Sequence, residues 1–406
     1  MQTVTATYRI VTPMFLGGAN HEVDTIRPPS VKGALRFWWR ALNWGRSRSV
    51  VGNDAEALKK LHEEESLLFG HATDNNQGGG QGTFILTIKN SSLKLNTISS
   101  PTVHSQFSTK PAARYLGYGL MVAFGKSDGS TKNGQLERGC INENQTFTVT
   151  LLFKKQIDDS VVQALKVMGL LGGLGSRVRR GIGSVAIESL KVNNEEKWEK
   201  TTQINYKQQI QALNTPSKLP ANEPPFTAFY EKSRIDILSK DTDCYSVLNE
   251  IGEAMLKYRS WGRSEKNGSG NNTVLGSLSE QNFKDDHEWR YKRGKLYSNG
   301  HPERIFFGLP HDYGKDADLK VKAENHERRA SPLFFHVHQF AANSFVGVSI
   351  YLPAKFLPDG EKIKARGKDV PINIDWSVVI DFIDGKDRQK PNKITNRFPC
   401  KEVIIP

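Results

Sequence analysis

Cysteine is nearly missing from this chain: its 406 residues hold three, Cys140, Cys244 and Cys400. They stand apart with no Cys-x-x-Cys pair, which argues against a disulfide framework and against a zinc ribbon. Long apolar runs are missing too, and none approaches the ~20 residues of a membrane-spanning helix. The opening Met1-Gln-Thr-Val-Thr-Ala-Thr-Tyr-Arg9 lacks the apolar core of a signal peptide and reads as a first strand. Acid is scarce: 43 Asp and Glu face 56 Lys and Arg, leaving a formal charge of +13. Such an excess points to an acidic partner such as nucleic acid, and bears on association rather than on fold. The expectation is a basic, soluble, cytoplasmic protein of two units, since the length exceeds what one core commonly fills.

The stretch Gly172-Gly-Leu-Gly-Ser-Arg-Val-Arg-Arg-Gly-Ile-Gly183 contains no acid at all. It has no Gly-Lys-Ser/Thr, and it lies between a helical pattern (158–171) and a strand pattern (184–192), the reverse of a P-loop. Gly173-Leu-Gly175 lacks the third glycine of a dinucleotide fingerprint. ATP and NAD are disfavoured, and no cofactor is expected. What remains is five glycines around Arg177, Arg179 and Arg180: a pliable backbone carrying forked cations suited to phosphate. The plain alternative is a glycine turn whose arginines are merely solvated.

Residues 25–53 are also free of acid and carry Arg27, Lys32, Arg36, Arg40, Arg46 and Arg48 among Phe37, Trp38, Trp39 and Trp44. Ser30, after Pro28-Pro29, is a natural N-cap for a helix over 31–44. Lys32, Arg36 and Arg40 recur every fourth residue and form a basic ridge, while Val31, Leu35, Trp38 and Leu42 form an apolar face. Trp39 sits at the border. It either joins the core or stacks a base beside an arginine-held phosphate. Ridge and loop are expected to share one cleft that grips ribose-phosphate.

Along the first half, strand 3–11, helices 31–44 and 55–69, strand 82–89, strands near 113–124 and 145–154, helix 158–171 and strand 184–192 are predicted. With the extra helix set aside, the order is β-α-β-β-α-β, the split ferredoxin-like pattern. After a polar, proline-containing stretch (193–225), a second cycle follows. It has strand 226–238, helix 244–261, a loop-rich segment 262–303, strands 333–340 and 344–352, and an edge strand at 401–406. The expected fold class is α+β: two tandem ferredoxin-like domains, 1–195 and 222–406, with the glycine-rich loop inside the first.

Three phrases around the first helix resemble the RAMP superfamily of CRISPR-associated proteins. They are Thr12-Pro-Met-Phe-Leu-Gly-Gly18, Arg27-Pro-Pro-Ser-Val-Lys-Gly-Ala-Leu-Arg-Phe-Trp-Trp-Arg40 and Leu68-Phe-Gly70. The loop 172–183 resembles the superfamily's glycine-rich loop. Phe307-Gly-Leu-Pro-His311 and Glu327-Arg-Arg-Ala-Ser-Pro-Leu333 are similar to the C-terminal region of its type III-B (Cmr) head subunits. The resemblance implies RRM-related, ferredoxin-like domains in a complex carrying CRISPR guide RNA that pairs with target RNA. It implies a place near the guide's 3′ end, beside other RAMP subunits of the Cmr complex. It further implies that Lys32, Arg36, Arg177, Arg179 and Arg180 line an RNA-binding cleft. The sheet lacks RNP-type aromatics, so base stacking on its face is not expected.

Two further groups bear on chemistry. His336 and His338 share one face of a predicted strand, and two histidines could cut RNA without metal by general acid–base catalysis. A metal-independent CRISPR-RNA endoribonuclease is therefore the alternative, set against ordinary packing beside Phe334, Phe335 and Phe340. No ligand spacing for a metal is apparent. Arg328 and Arg329, adjacent in the chain, are candidates for RNA contact or for salt bridges between domains.

Overall fold

The computed structural model describes residues 1–18, 22–23, 25–72, 79–90, 93–97, 104–213, 222–264, 272–289, 301–313, 320–365, 368–370, 373–390 and 393–405. The first sheet contains β1 (Gln2–Ile10), β2 (Phe84–Asn90), β3 (Thr146–Phe153) and β4 (Val185–Val192). Its order is β2-β3-β1-β4, extended by the short strand Glu195–Glu196, and every pairing is antiparallel. Period-two patterning dictates which face is buried: Val4, Ala6, Tyr8 and Ile10 of β1 are all sealed from solvent. Against that face lie α1 (Pro28–Val50) and α3 (Asp159–Leu171), and α2 (Asp54–Phe69) packs on α1. The Tyr8 hydroxyl donates to the Leu165 carbonyl at 2.9 Å, so even the polar atom of this core residue is satisfied.

Helix starts follow local chemistry. Asn53 accepts from the Glu56 amide, and Asp158 from the amides of Ser160 and Val161. The first helix departs from expectation: it begins at Pro28 rather than after Ser30, with Arg27 at the N-cap and no side-chain cap. Proline's preset φ and missing N–H suit the first turn, where amides have no helical partner.

The second sheet repeats the first. Its strands are β5 (Arg234–Asp241), β6 (Leu333–Ala341), β7 (Ser344–Tyr351) and β8 (Glu402–Ile405), in the order β6-β7-β5-β8. Both sheets thus run second, third, first, fourth. Helix α4 (Tyr206–Leu213) packs on α3 and β8, α5 (Cys244–Arg259) follows β5, and α6 (Ser377–Asp384) lies between β7 and β8 in the chain. The tight β6–β7 hairpin and the late edge strand match the sequence reading. Strand β6 is buried on both faces. Phe334 joins the core that contains α1 and α3, whereas Phe335 and Val337 join the core around α5.

Two expected elements differ. The apolar run 113–124 is not a strand: Pro111–Leu116 is a helix and the following residues turn. Buried Arg114 holds this segment by donating to the carbonyls of Phe107 and Ala123, at 2.8 and 2.7 Å. Asn249 of α5 accepts from the amides of Ala112 and Ala113, which caps the short helix from across the molecule. The strand expected from Phe226 begins only at Arg234, after a turn closed by the Ser233 amide on the Tyr230 carbonyl. Of the loop-rich stretch 262–303, residues 265–271 and 290–300 lie outside the described residues. Among the described residues no helix is long and apolar enough to cross a membrane.

Candidate nucleic-acid interface

The glycine-rich segment leaves α3 at Gly172 and enters β4 at Val185. It is not a free flap. Its Ser176 and Gly183 amides donate to the carbonyls of Phe15 and Pro13, and the Thr12 hydroxyl donates to the Gly181 carbonyl. The Thr12–Gly18 phrase is therefore the seat of the loop. On the other side the Phe335 amide of β6 donates to the Arg179 carbonyl at 3.0 Å, and the Val337 amide to Ser184 Oγ at 3.1 Å. Gly183 has φ +74, and a Cβ there would stand 2.1 Å from the Leu174 carbonyl oxygen. Glycine here permits a close backbone crossing rather than mobility.

Held this way, Arg177, Arg179 and Arg180 line one wall of a cleft of about 640 Å³. Arg328 and Arg329 line another, and Arg259, from the last turn of α5, joins them with His311. The Phe307–His311 and Glu327–Leu333 phrases meet here, exchanging backbone hydrogen bonds between Leu309 and Arg329 at 2.8 and 3.1 Å. No carboxylate lines the cleft, and among the described residues none of its six arginines forms an ion pair. They donate to carbonyls instead: Arg177 Nε to Tyr118 at 2.8 Å, Arg179 Nη1 to Ser331 at 2.8 Å, Arg329 Nε to Phe356 at 2.7 Å. Rings back the guanidiniums, with Arg179 4.2 Å from the Phe334 centroid and Arg259 4.9 Å from that of Phe307. Arg259 Nε is buried without a partner.

The electrostatics follow from that arrangement. Burial, reinforced by Arg329, pushes the Arg179 guanidinium down to about 10, and burial brings Arg329 to about 10 as well. Burial lowers Arg177 and Arg259, with neighbouring arginines adding to the effect. Guanidinium stays charged at neutral pH even so, so these are cations without a counter-ion. Burial and then the arginines Arg259 and Arg304 hold the His311 imidazole well below its ordinary range. Burial alone would raise the Tyr115 phenol, but Arg259 and Arg180 outweigh it and bring it down. A site that depresses cations and favours a phenolate is one that an anion would stabilise.

The first-helix ridge is arranged otherwise. Arg36 Nε sits 2.5 Å from Glu65 Oε1, and Arg40 reaches the same oxygen at 3.6 Å. Lys32 is half-exposed beside Arg36; burial and then that neighbouring charge lower its ammonium. Neither Lys32 nor Arg36 lines the arginine cleft, which corrects the expectation for those two residues; only Arg40 of the ridge meets the loop, lining with Arg179 and Glu65 an adjoining space of about 400 Å³. Trp39 is fully buried and its Nε1 donates to Ser160 Oγ, so no ring face is open to a base. Its position at the edge of the apolar face placed it under α2, not in solvent.

The histidine pair is sealed in the junction between the sheets. His336 and His338 are 1% and 0% exposed; His336 Nδ1 lies 2.9 Å from the Gly172 carbonyl and its Nε2 3.3 Å from His338 Nδ1. Burial brings His336 down to about 3, so the ring is neutral at physiological pH. His338 stacks on Tyr206 at 4.5 Å. Neither has a path to a phosphodiester.

Residues 7–186 match the RAMP superfamily, a span from β1 through the glycine-rich loop into β4. Over that span the chain is similar to the RAMP superfamily. It is 25% identical over 372 residues to the CRISPR system Cmr subunit Cmr1-1 of Pyrococcus furiosus, covering 89% of this chain and 88% of that protein. A second relative in that organism, Cmr subunit Cmr1-2, is 25% identical over 185 residues, covering 45% of this chain and 92% of the relative. Among solved structures, apo Cmr1 from Pyrococcus furiosus superposes with a TM-score of 0.52 at 18% identity, covering 100% and 99% of the two chains. A chain of the Type III-B Cmr-beta bound to cognate target RNA gives 0.51 at 12% identity, covering 94% and 98%. These superpositions show a shared fold.

Sequence reasoning missed Arg259, Tyr115 and His311. Arg259 reads as an ordinary cation complementing a helix C-terminus. Its signal was spatial: it ends the helix that follows β5, on the same side of β6 as the loop.

Proposed function

We propose that this protein is a RAMP-superfamily member and a non-catalytic, RNA-binding subunit of a cytoplasmic type III-B (Cmr) effector complex. In this reading it helps hold guide and target RNA near the guide's 3′ end, beside other RAMP subunits. The observation that carries the reading is the cleft of six arginines with no carboxylate in its lining. Curated relatives named as Cmr subunits support the complex, and the fold shared with a chain in an RNA-bound Cmr structure supports the ligand. The repeated strand order favours two ferredoxin-like, RRM-like units, residues 1–195 and 222–406. Within this proposal Arg177, Arg179, Arg180, Arg328 and Arg329 contact phosphate, joined by Arg259. Lys32, Arg36 and Arg40 serve at the margin. The sealed histidines favour holding over cutting.

The test is binding of single-stranded RNA to the full chain across a salt series. Contacts to about six phosphates give a log–log slope near −4. Replacing Arg177, Arg179 and Arg180 together by Ala should flatten the slope by about 2 units and weaken unrelated sequences alike, since phosphate carries no sequence. A flat response in the unmodified protein, or cleavage of repeat RNA in EDTA, overturns the reading.

A further inference from the structure

Next to the arginine cleft lies a smaller apolar slot of about 270 Å³ that the reading above leaves unused. One wall is the face of α1 that presents Ser30, Ala34 and Phe37; the Phe334 ring of β6 and the glycine backbone from Gly172 to Gly175 complete it. Arg179 lines both the slot and the cleft, so the two spaces meet at one guanidinium. Trp38 also lines the slot, and its indole Nε1 makes no hydrogen bond among the described residues. That nitrogen lies 2.6 Å from where a Cβ on Gly172 would stand. Glycine there lets the donor reach the slot wall.

We propose that the slot takes one unstacked nucleobase from the RNA whose phosphates lie in the arginine cleft; the proposal rests on the RNA-binding reading. The space admits a single planar ring system and falls short of the roughly 300–1,000 Å³ typical of larger ligands. Phe37 and Phe334 supply faces for stacking, which tolerates any base. The Trp38 N–H supplies one donor, and every RNA base carries acceptors at its edge. An apolar side chain from a protein partner would fill the space but cover that donor without pairing it, a cost the base avoids. Continuity through Arg179 puts the ribose-phosphate of the same nucleotide beside a cation.

The experiment compares, on the full chain, the affinity of a short oligouridylate with that of an abasic ribose-phosphate oligomer of equal length. The base-bearing strand should bind about tenfold tighter or more. Ala34→Leu, which fills the slot from the helix side, should erase most of that difference and leave abasic binding and the salt slope unchanged. Trp38→Phe, which keeps a ring and removes the donor, should lose several-fold for oligouridylate alone. Thermal unfolding confirms that each variant folds. Equal binding of both oligomers by the unmodified protein, with a steep salt slope, overturns the slot and spares the cleft; the space then suits an apolar side chain of a neighbouring subunit. Equal loss of both oligomers on Ala34→Leu also overturns it. Failure of both oligomers to bind at any salt overturns the RNA reading itself.

Discussion

Arg36 and Arg40 converge on one buried carboxylate, that of Glu65, whereas Arg179 and Arg329 end on carbonyl oxygens and aromatic rings. Arg36, Arg40 and Arg179 all lie in stretches of sequence without acid. The difference comes from what folds against them. Helix α2 follows α1 directly and brings Glu64, Glu65 and Asp54 to Arg46, Arg36 and Arg48. The loop is met by β6, by the Phe307–His311 turn and by the end of α5, none of which offers an acid to it. A cationic run in a sequence therefore marks a surface for polyanions only when its tertiary neighbours leave it unpaired.

Acid should expose the largest effect, because it adds a cation where none is paired. His336 has a folded value near 3 against an ordinary 6.5, so below pH 6.5 the unfolded chain takes up a proton that the folded chain refuses. Stability is fully present above 6.5 and is lost as pH falls toward 3, by on the order of 4 kcal/mol. Urea titrations at several pH values should show this decline, and His336→Gln should flatten it. If the decline is unchanged, the junction does not depend on a neutral ring at that position.

Next in size is the contrast in RNA affinity. Losing Arg177, Arg179 and Arg180 together should cost about a hundredfold at moderate salt. The Arg36→Ala, Arg40→Ala double variant should stay within about threefold of the unmodified protein. Equal losses would erase the distinction between paired and unpaired arginines. The converse appears in stability. Arg36→Ala leaves buried Glu65 with only the longer Arg40 contact and should destabilise by about 2 kcal/mol, allowing for the partial exposure of Arg36. The smallest effect concerns glycine. Gly33 sits on the exposed side of α1 with open space around it, so Gly33→Ala should add about 0.5–1 kcal/mol. Gly183→Ala should do the opposite, since its φ and the Leu174 carbonyl forbid a side chain. Thermal melts of the pair decide whether the loop's glycines are structural crossings or mere flexibility.

Much of the architecture was legible because it is local. Alternation in β1 and the turn between β6 and β7 each follow from a few adjacent residues. The segment 113–124 was misread because its apolar content resembles a strand while Arg114 supplies carbonyl contacts in place of a ladder. Helical spacing put Trp39 on a boundary; only the arrival of α2 and Ser160 decided which side it took. The loop arginines were visible as a motif. Their partners Arg259, Arg328 and Arg329 come from far along the chain, and nothing in a short window announces that they meet. Helix dipole, turn and strand edge each gave those residues a sufficient ordinary role.

Arg179 is stitched to the second half of the molecule twice: its carbonyl accepts from Phe335 and its guanidinium donates to Ser331. The charge proposed to meet a ligand and the seam that joins the halves are thus a single residue. Any tilt of one sheet against the other drags that guanidinium along, and a strand clamped on it resists the tilt in return. If phosphate is held there as proposed, grip and the stiffness of that seam should rise and fall together.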